Sequence, residues 1–100
     1  MDYKVIDPNT VQVQLEKELN MKNADMLKKQ LTGLYRQGYQ NFVLDFTNIK
    51  KVDSTGIGKM LMFHKLLKDS GGKLKIVNIK NTYVKSMFEM INLDKVIKID

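Results

Sequence analysis

The sequence predicts an α/β fold in which a mixed β-sheet packs against amphipathic helices. Short apolar runs typical of strands alternate along the chain with segments whose apolar residues recur at helical spacing. The first two strand-like runs are separated only by Asp7-Pro8-Asn9, which is typical of a turn. The predicted element order is therefore ββαβαβαβ, with parallel pairing wherever a helix connects two strands.

Composition and length restrict the class of protein further. The chain has 100 residues, 43% of them hydrophobic and 28% charged, as expected for one globular domain spanning residues 1–100. It has no cysteine, which excludes disulfides, thiolate metal sites and cysteine nucleophiles. The longest run of large apolar residues is Met60–Phe63, far too short to cross a bilayer, and the N-terminus lacks a signal-peptide pattern. We therefore expect a cytoplasmic protein without a membrane span.

The first elements are a hairpin and a helix. Tyr3–Ile6 and Thr10–Leu15 read as its two strands, and the second alternates apolar and polar residues, so we expect one of its faces to be solvated. From about Asn23 to Tyr35 the apolar residues recur at helical spacing, and Gly38 ends the pattern. The opening of the chain is therefore ββα.

The middle of the chain predicts a central strand, a loop and a second helix. Phe42–Phe46 is a compact apolar run that fits a strand buried on both faces, and residues 47–52 read as a loop. Asp53-Ser54 then opens a helix that Ser70-Gly71-Gly72 terminates. The predicted core stripe of this helix is Ile57, Met60, Leu61, His64 and Leu67.

The remaining elements complete the alternation of strands and helices. Leu74–Val77 predicts a strand, Thr82–Ile91 a third helix, and Val96–Ile99 a last strand. No internal repeat, low-complexity tract or linker interrupts the chain.

The segment that carries chemistry is Asp53–Lys59, because ligand and chemical sites in open α/β sheets gather beyond the carboxyl ends of the strands. The glycine spacing does not fit a P-loop or a dinucleotide fingerprint. A serine hydrolase is disfavoured, since the single histidine, His64, falls on the core-facing stripe. From the residues alone, Asp53, Ser54 and Thr55 also fit an ordinary helix N-cap.

The chain resembles a known protein family, which gives Asp53, Ser54 and Thr55 an interpretation other than an ordinary helix N-cap. Val43–Phe46 followed by Val52–Gly58 resembles the signature of STAS domains, specifically the single-domain anti-sigma factor antagonists of bacteria. Leu74–Asn78 and Val84–Ile99 follow the family's closing strand, helix and strand in order and spacing. The resemblance covers most of the chain and implies a mixed sheet that begins with a hairpin.

The resemblance implies a regulatory binding protein rather than an enzyme, with no cofactor of its own. In that family, the serine after the motif's aspartate is phosphorylated by a partner that is both an anti-sigma factor and an ATP-dependent serine kinase; here it is Ser54, with Thr55 secondary at most. The unphosphorylated protein binds this partner and releases the sigma factor, and phosphorylation breaks the complex. A phosphatase is the expected counterpart of the kinase.

The expected partner surface includes the loop and the outward side of the second helix. We interpret Asp53 as the orienting neighbour of Ser54, and Gly56 and Gly58 as permitting close approach of the kinase. Lys59, Met62 and Leu66 share the outward side with Thr55, where apolar residues either contact a partner or are covered by a neighbouring element. The expected partner-binding set is Asp53, Ser54, Thr55, Gly56, Gly58, Lys59, Met62 and Leu66.

The sequence departs from the family's pattern at two points. Asn20 stands where many members carry an acidic residue, and the sequence shows no helix after the last strand, so one face of the sheet is expected to be less covered.

The net charge of +6 favours acidic partners, but the lysines are dispersed along the chain and no RNA-stacking motif accompanies them, so direct nucleic-acid binding is disfavoured. The alternative is a non-switching STAS scaffold subunit of a signalling or membrane transport assembly.

Overall fold

A computed structural model describes residues 2–100 and shows the predicted alternation of strands and helices. The main elements occur in the predicted order, with two further short strands and a 3-10 turn (Leu93–Lys95). The strands are β1 (Asp2–Asp7), β2 (Thr10–Gln14), β3 (Glu18–Leu19), β4 (Asn41–Asp45), β5 (Lys51–Val52), β6 (Lys73–Val77) and β7 (Lys98–Ile99). The helices are α1 (Ala24–Arg36), α2 (Ser54–Asp69) and α3 (Thr82–Met90).

The main sheet is mixed and has the strand order β1-β2-β4-β6-β7. The hairpin β1–β2 is antiparallel, and the other neighbours are parallel. Because successive parallel strands lie side by side in chain order, right-handed crossovers place all three helices on one face of the sheet. The buried side chains on that face form two in-register rows: Val11, Phe42 and Leu74, then Val13, Leu44 and Ile76.

The opposite face of the sheet is only partly covered. Gln12, Val43 and Lys75 are in register across β2, β4 and β6, and each is half-buried. The expectation that β4 is buried on both faces is therefore wrong, since its helix-facing side chains are buried and Val43 is not. A sheet wound in one direction has helices on a single face, which explains the difference.

One short strand, β5, replaces the end of the predicted loop at residues 47–52, and it pairs with a second short strand, β3, that lies between β2 and α1. Glu18 pairs with Lys51 and Leu19 with Val52, in parallel, as a separate two-stranded sheet. Two residues per strand are too few to give a periodic signal in the sequence, and their pairing joins distant segments of the chain. This small sheet connects the start of α1 with the start of α2.

The buried side of α2 is rotated relative to the predicted stripe. Phe63, which was not in that stripe, is 1% exposed and packs edge to face on Phe42, with ring centroids 4.8 Å apart. The side chains of Ile57, Leu61 and His64 are only half-buried. Burial of a large aromatic ring contributes more to stability than burial of a smaller side chain, so α2 is oriented with Phe63 toward the core.

The end of the chain also differs in detail from the prediction. Asn92 adopts the left-handed conformation, with φ of 55°, and the 3-10 turn follows it. Strand β7 therefore begins at Lys98 rather than Val96, which is 55% exposed. Within residues 2–100, every helix is too short or too polar to cross a membrane.

The side chain of Asp45 is a buried carboxylate at the carboxyl end of β4. Asp45 accepts hydrogen bonds from the backbone N–H of Thr47 at 2.9 Å and from the Gln12 amide at 3.3 Å. Burial acts to raise the pKa of Asp45, but hydrogen bonds from Thr47, Asn78 and Gln12 outweigh it and hold the pKa below its ordinary value. Asp45 is therefore a charged, satisfied group beside the loop that leads to α2.

Candidate functional site

The start of α2 is organised by the carboxylate of Asp53. This residue is the N-cap, and its Oδ1 accepts a hydrogen bond from the backbone N–H of Gly56 at 2.8 Å. Its Oδ2 accepts from the backbone N–H of Met21 at 3.0 Å. These bonds to backbone N–H groups lower the pKa of Asp53, so the carboxylate is ionised at neutral pH. One side chain thus caps α2 and anchors the loop before α1.

The anchored loop between β3 and α1 is built from polar side chains. The Asn20 amide donates to Glu18 Oε2 at 2.9 Å, and the Lys22 backbone N–H donates to Asn20 Oδ1 at 3.0 Å. The Asn23 amide donates to the Glu18 carbonyl oxygen at 2.6 Å. Asn20, the neutral residue at the family's acidic position, therefore supports the loop that contacts Asp53.

Ser54 and Thr55 are the first two residues of α2, and both side chains are exposed. Since the Asp53 carboxylate accepts the capping hydrogen bond, the N-cap interpretation applies to Asp53 and not to the two hydroxyl residues. The Ser54 hydroxyl therefore lies at the surface, next to an ionised carboxylate and at the positive end of the helix dipole.

The two glycines of this segment have different surroundings. A Cβ built on Gly56 would lie 2.2 Å from the carbonyl oxygen of Leu19, so this glycine is required for packing between α2 and β3. The interpretation of Gly56 as a point of approach for a kinase is wrong, because its buried face is occupied by the chain itself. A Cβ on Gly58 would meet nothing within 4 Å, which leaves space beside Ser54.

The outward side of α2 divides into a charged contact and an apolar part. Lys59 Nζ lies 2.8 Å from Asp25 Oδ1 of α1. Hydrogen bonding and charge attraction from Lys59 lower the pKa of Asp25. Met62 and Leu66 are 52% and 37% exposed, so neighbouring elements of residues 2–100 leave much of both side chains uncovered. The prediction that they face outward is confirmed, whereas Lys59 is half-buried against α1.

His64 does not belong to this site. It follows Ser54 by ten positions on α2, about 15 Å along the helix axis at 1.5 Å per residue. Burial, together with the charge of Lys68, lowers the pKa of His64. A proton transfer between Ser54 and His64 is excluded by this distance.

Comparison with known proteins identifies the family to which this arrangement belongs. The sequence matches the STAS domain family over residues 3–100. The chain belongs to the STAS domain family. The expected α/β fold with a mixed sheet is likewise confirmed by solved structures of the same architecture.

Relatives of this STAS domain are anti-sigma factor antagonists. The anti-sigma-B factor antagonist of Bacillus subtilis is 29% identical over 91 residues, which span 91% of this chain and 82% of the relative. A Thermotoga maritima protein named as a candidate anti-sigma factor antagonist has a crystal structure with a TM-score of 0.84 and 31% identity, covering 98% of this chain and 83% of that one. The Bacillus protein SpoIIAA in its phosphorylated form shares the fold, with a TM-score of 0.74 at 18% identity, over 99% of this chain and 89% of that one.

One exposed residue of this STAS domain was missed from the sequence. Met21 is 73% exposed, and its backbone N–H donates to Asp53, so Met21 lies beside the residue that precedes Ser54. In the sequence, Met21 falls in a polar segment with no periodicity, and only the contact between the β3–α1 loop and α2 brings it to the site. Met21, in the loop before α1, and Met62, in the middle of α2, are thus two exposed apolar residues on different segments of the chain.

Proposed function

We propose that this STAS domain is a phosphorylation-switched anti-sigma factor antagonist. In its unphosphorylated form it binds an anti-sigma factor that is also a serine kinase, and the sigma factor is released. Phosphorylation of Ser54 by this partner breaks the complex, and a phosphatase restores it. The observation that carries the proposal is an exposed Ser54 hydroxyl at the first residue of α2, with the capping role already filled by Asp53.

The charge at the start of α2 explains how phosphorylation acts on binding. A phosphate adds about −1.5 to −2 charges, and the helix dipole accommodates part of this charge without unfolding the chain. The ionised Asp53 is the adjacent residue, so the phosphorylated loop becomes strongly negative. A partner surface fitted to the neutral serine would have to desolvate that charge, which favours dissociation.

The exposed residues along the outward side of α2 and in the loop before α1 support a protein partner rather than a small substrate. Met21, Met62 and Leu66 supply exposed apolar area, and Thr55 supplies an exposed hydroxyl. Gly58 leaves open space on the same helix, so a partner backbone could approach there. We assign Lys59 a supporting role, since its ammonium group is paired with Asp25 of α1.

The test is phosphosite mapping with the cognate anti-sigma factor and Mg-ATP. Ser54→Ala should abolish labelling, whereas Thr55→Ala should retain most of it. Labelling of Ser54→Ala at the level of the parent protein contradicts the assignment.

A calorimetric measurement tests the switch itself. Ser54→Asp should weaken binding to the anti-sigma factor by roughly 30-fold to several thousand-fold, because an unpaired interfacial charge costs about 2 to 5 kcal/mol. Ser86→Asp is the matched control, since it adds the same charge at an exposed position of α3. Equal affinities of the two variants would refute a partner contact at Ser54.

A further inference from the structure

Three lysines from two distant segments lie side by side just before the start of α2. The backbone N–H groups of Lys50 and Lys51 both donate to the carbonyl oxygen of Lys17, at 2.7 and 3.3 Å. Lys17 and Lys50 are more than thirty residues apart in the sequence, and the parallel pairing of β3 with β5 brings their segments together. We call Lys17, Lys50 and Lys51 the lysine corner.

The side chains of the lysine corner are exposed, and none of the three forms an ion pair among residues 2–100. Glu18 is in register with Lys51, yet its Oε2 accepts a hydrogen bond from the Asn20 amide. The Asp53 carboxylate accepts from two backbone N–H groups. These two neighbouring carboxylates are therefore engaged by donors of the chain itself, whereas the three ammonium groups have no carboxylate partner.

Two further carboxylates lie close to the lysine corner. Lys17 and Lys50 line a depression of about 430 Å³ beyond the carboxyl ends of β2 and β4, and Asp2 and Glu16 also line it. Asp2 and Glu16 are exposed, so they offset part of the positive charge. The lysines still outnumber these two exposed carboxylates, and Lys51 lies on the side of the corner that continues toward Ser54.

The lysine corner is close enough to Ser54 to share an interface with it. Lys51 precedes Ser54 by three residues, so their Cα atoms are at most about 11 Å apart at about 3.6 Å per residue. A standard protein interface buries about 800 Å² on each partner, which corresponds to a circle of about 16 Å radius. An interface centred on Ser54 therefore reaches the lysine corner. A lysine that becomes buried there without a carboxylate partner would weaken binding, roughly 30-fold or more.

We propose that the lysine corner binds an acidic surface of the anti-sigma factor. This inference rests on the proposed function and adds to it the charge of the partner beside Ser54. Carboxylates of the partner would pair with Lys50 and Lys51. A basic or an apolar partner surface would instead leave ammonium groups buried and unpaired, which is strongly unfavourable.

An acidic partner also explains the direction of the switch. A phosphate on Ser54 would place about −1.5 to −2 charges beside Asp53 and opposite the partner's carboxylates. Like charges facing each other across an interface are unfavourable, so phosphorylation would repel the surface that the lysines attract. The lysine corner and the phosphate would therefore act in opposite directions on one contact.

The experiment measures binding of the unphosphorylated protein to the purified cognate anti-sigma factor, without ATP, at ionic strengths of about 50 and 500 mM. Lys50→Gln/Lys51→Gln should weaken the affinity about tenfold at the lower ionic strength, mainly through slower association, and the loss should shrink at the higher one because salt screens exposed charges. Lys50→Arg/Lys51→Arg keeps both charges and should bind like the parent protein. Lys73→Gln/Lys98→Gln is the matched control, since it removes the same charge from exposed lysines of β6 and β7.

Equal affinities of Lys50→Gln/Lys51→Gln and its control would overturn the inference, and the proposed function would stand if Ser54→Asp still weakened binding. Tighter binding of Lys50→Gln/Lys51→Gln than of the parent protein would indicate a basic partner surface. Weaker binding of this variant to a DNA duplex, with unchanged affinity for the anti-sigma factor, would assign the lysines to nucleic acid. Unchanged binding of both this variant and Ser54→Asp would overturn the proposed function as well.

Discussion

Replacing Gly56 with alanine tests the contact on which the start of α2 depends. The added Cβ would lie 2.2 Å from the carbonyl oxygen of Leu19 and 2.7 Å from its carbon. The same carbonyl oxygen accepts a hydrogen bond from the backbone N–H of Asp53 at 3.1 Å. Relieving the overlap therefore requires β3 and α2 to separate, and that movement weakens the bond.

The expected change in the free energy of unfolding follows from two destabilising contributions and one stabilising contribution. Overpacking with backbone shifts costs about 1 to 3 kcal/mol, and a weakened hydrogen bond adds about 1 kcal/mol. Alanine in place of glycine in a helix returns about 1 kcal/mol. We expect Gly56→Ala to lose about 1 to 3 kcal/mol, and at about 4 to 8 °C per kcal/mol the Tm should fall by roughly 4 to 24 °C.

Gly58→Ala is the matched control because it lies two residues further along the same helix and its Cβ meets nothing within 4 Å. It should gain about 0.5 to 1 kcal/mol from helix propensity, and its Tm should rise by about 2 to 8 °C. Thermal unfolding followed by circular dichroism measures both variants. Stabilisation of both to the same extent would refute the packing role of Gly56. Binding of Gly58→Ala to the anti-sigma factor also tests whether a partner needs the open space.

Two further predictions concern the apolar surface and the buried carboxylate. Met62→Lys should weaken anti-sigma factor binding by about tenfold while the free energy of unfolding stays within about 0.5 kcal/mol. Met90→Lys is the control, since Met90 is an exposed residue of α3. Unfolding of Met62→Lys, or affinity equal to that of the control, contradicts the proposed contact. Because the pKa of Asp45 is lowered in the folded state, its contribution to stability is present above the unfolded pKa of about 3.9 and lost as pH falls through the folded value. Asp45→Asn should therefore lower the Tm at pH 7, and the difference in Tm from the parent protein should shrink as the pH is lowered. Asp69→Asn, at the exposed end of α2, should change the Tm little. A difference for Asp45→Asn that stays constant from neutral to acidic pH would refute the stabilising role of the ionised Asp45.

The order of the main strands and helices could be predicted because it depends on local patterns. Alternating residues such as Val11 and Val13, and helical spacing such as that of Leu31 and Leu34, are visible in one segment at a time, and each of these residues is buried. The one-sided winding of the sheet is not local. It depends on which strands become neighbours, so the half-buried state of Val43 could not be read from its own apolar run.

At the site too, features set by neighbouring residues could be predicted, whereas features set by contacts with distant segments could not. The start of α2 near Asp53 and Ser54 follows from the residues around it, but only the structure shows which of Asp53, Ser54 and Thr55 is the N-cap. The closed surroundings of Gly56 and the position of Met21 depend on contacts between the start of α2 and the β3 region, which are more than thirty residues apart in the chain. A two-residue strand gives no periodic signal, so sequence reasoning assigned Gly56 to a partner when it contacts the chain itself.

The two oxygens of Asp53 allow its capping and anchoring roles to be separated. Asn is also a good N-cap residue, so Asp53→Asn should keep the bond from the Gly56 N–H to the side-chain oxygen. Its second position becomes an NH₂ donor that cannot accept from the Met21 N–H. Hydrogen exchange should therefore speed up at the Met21 amide while the Gly56 amide stays protected. Asp69→Asn controls for the lost charge, since Asp69 lies at the other end of α2. Equal exchange at Met21 in both variants would show that the β3–α1 loop is held without Asp53, and the start of α2 would then be a capped helix end rather than a junction of two elements.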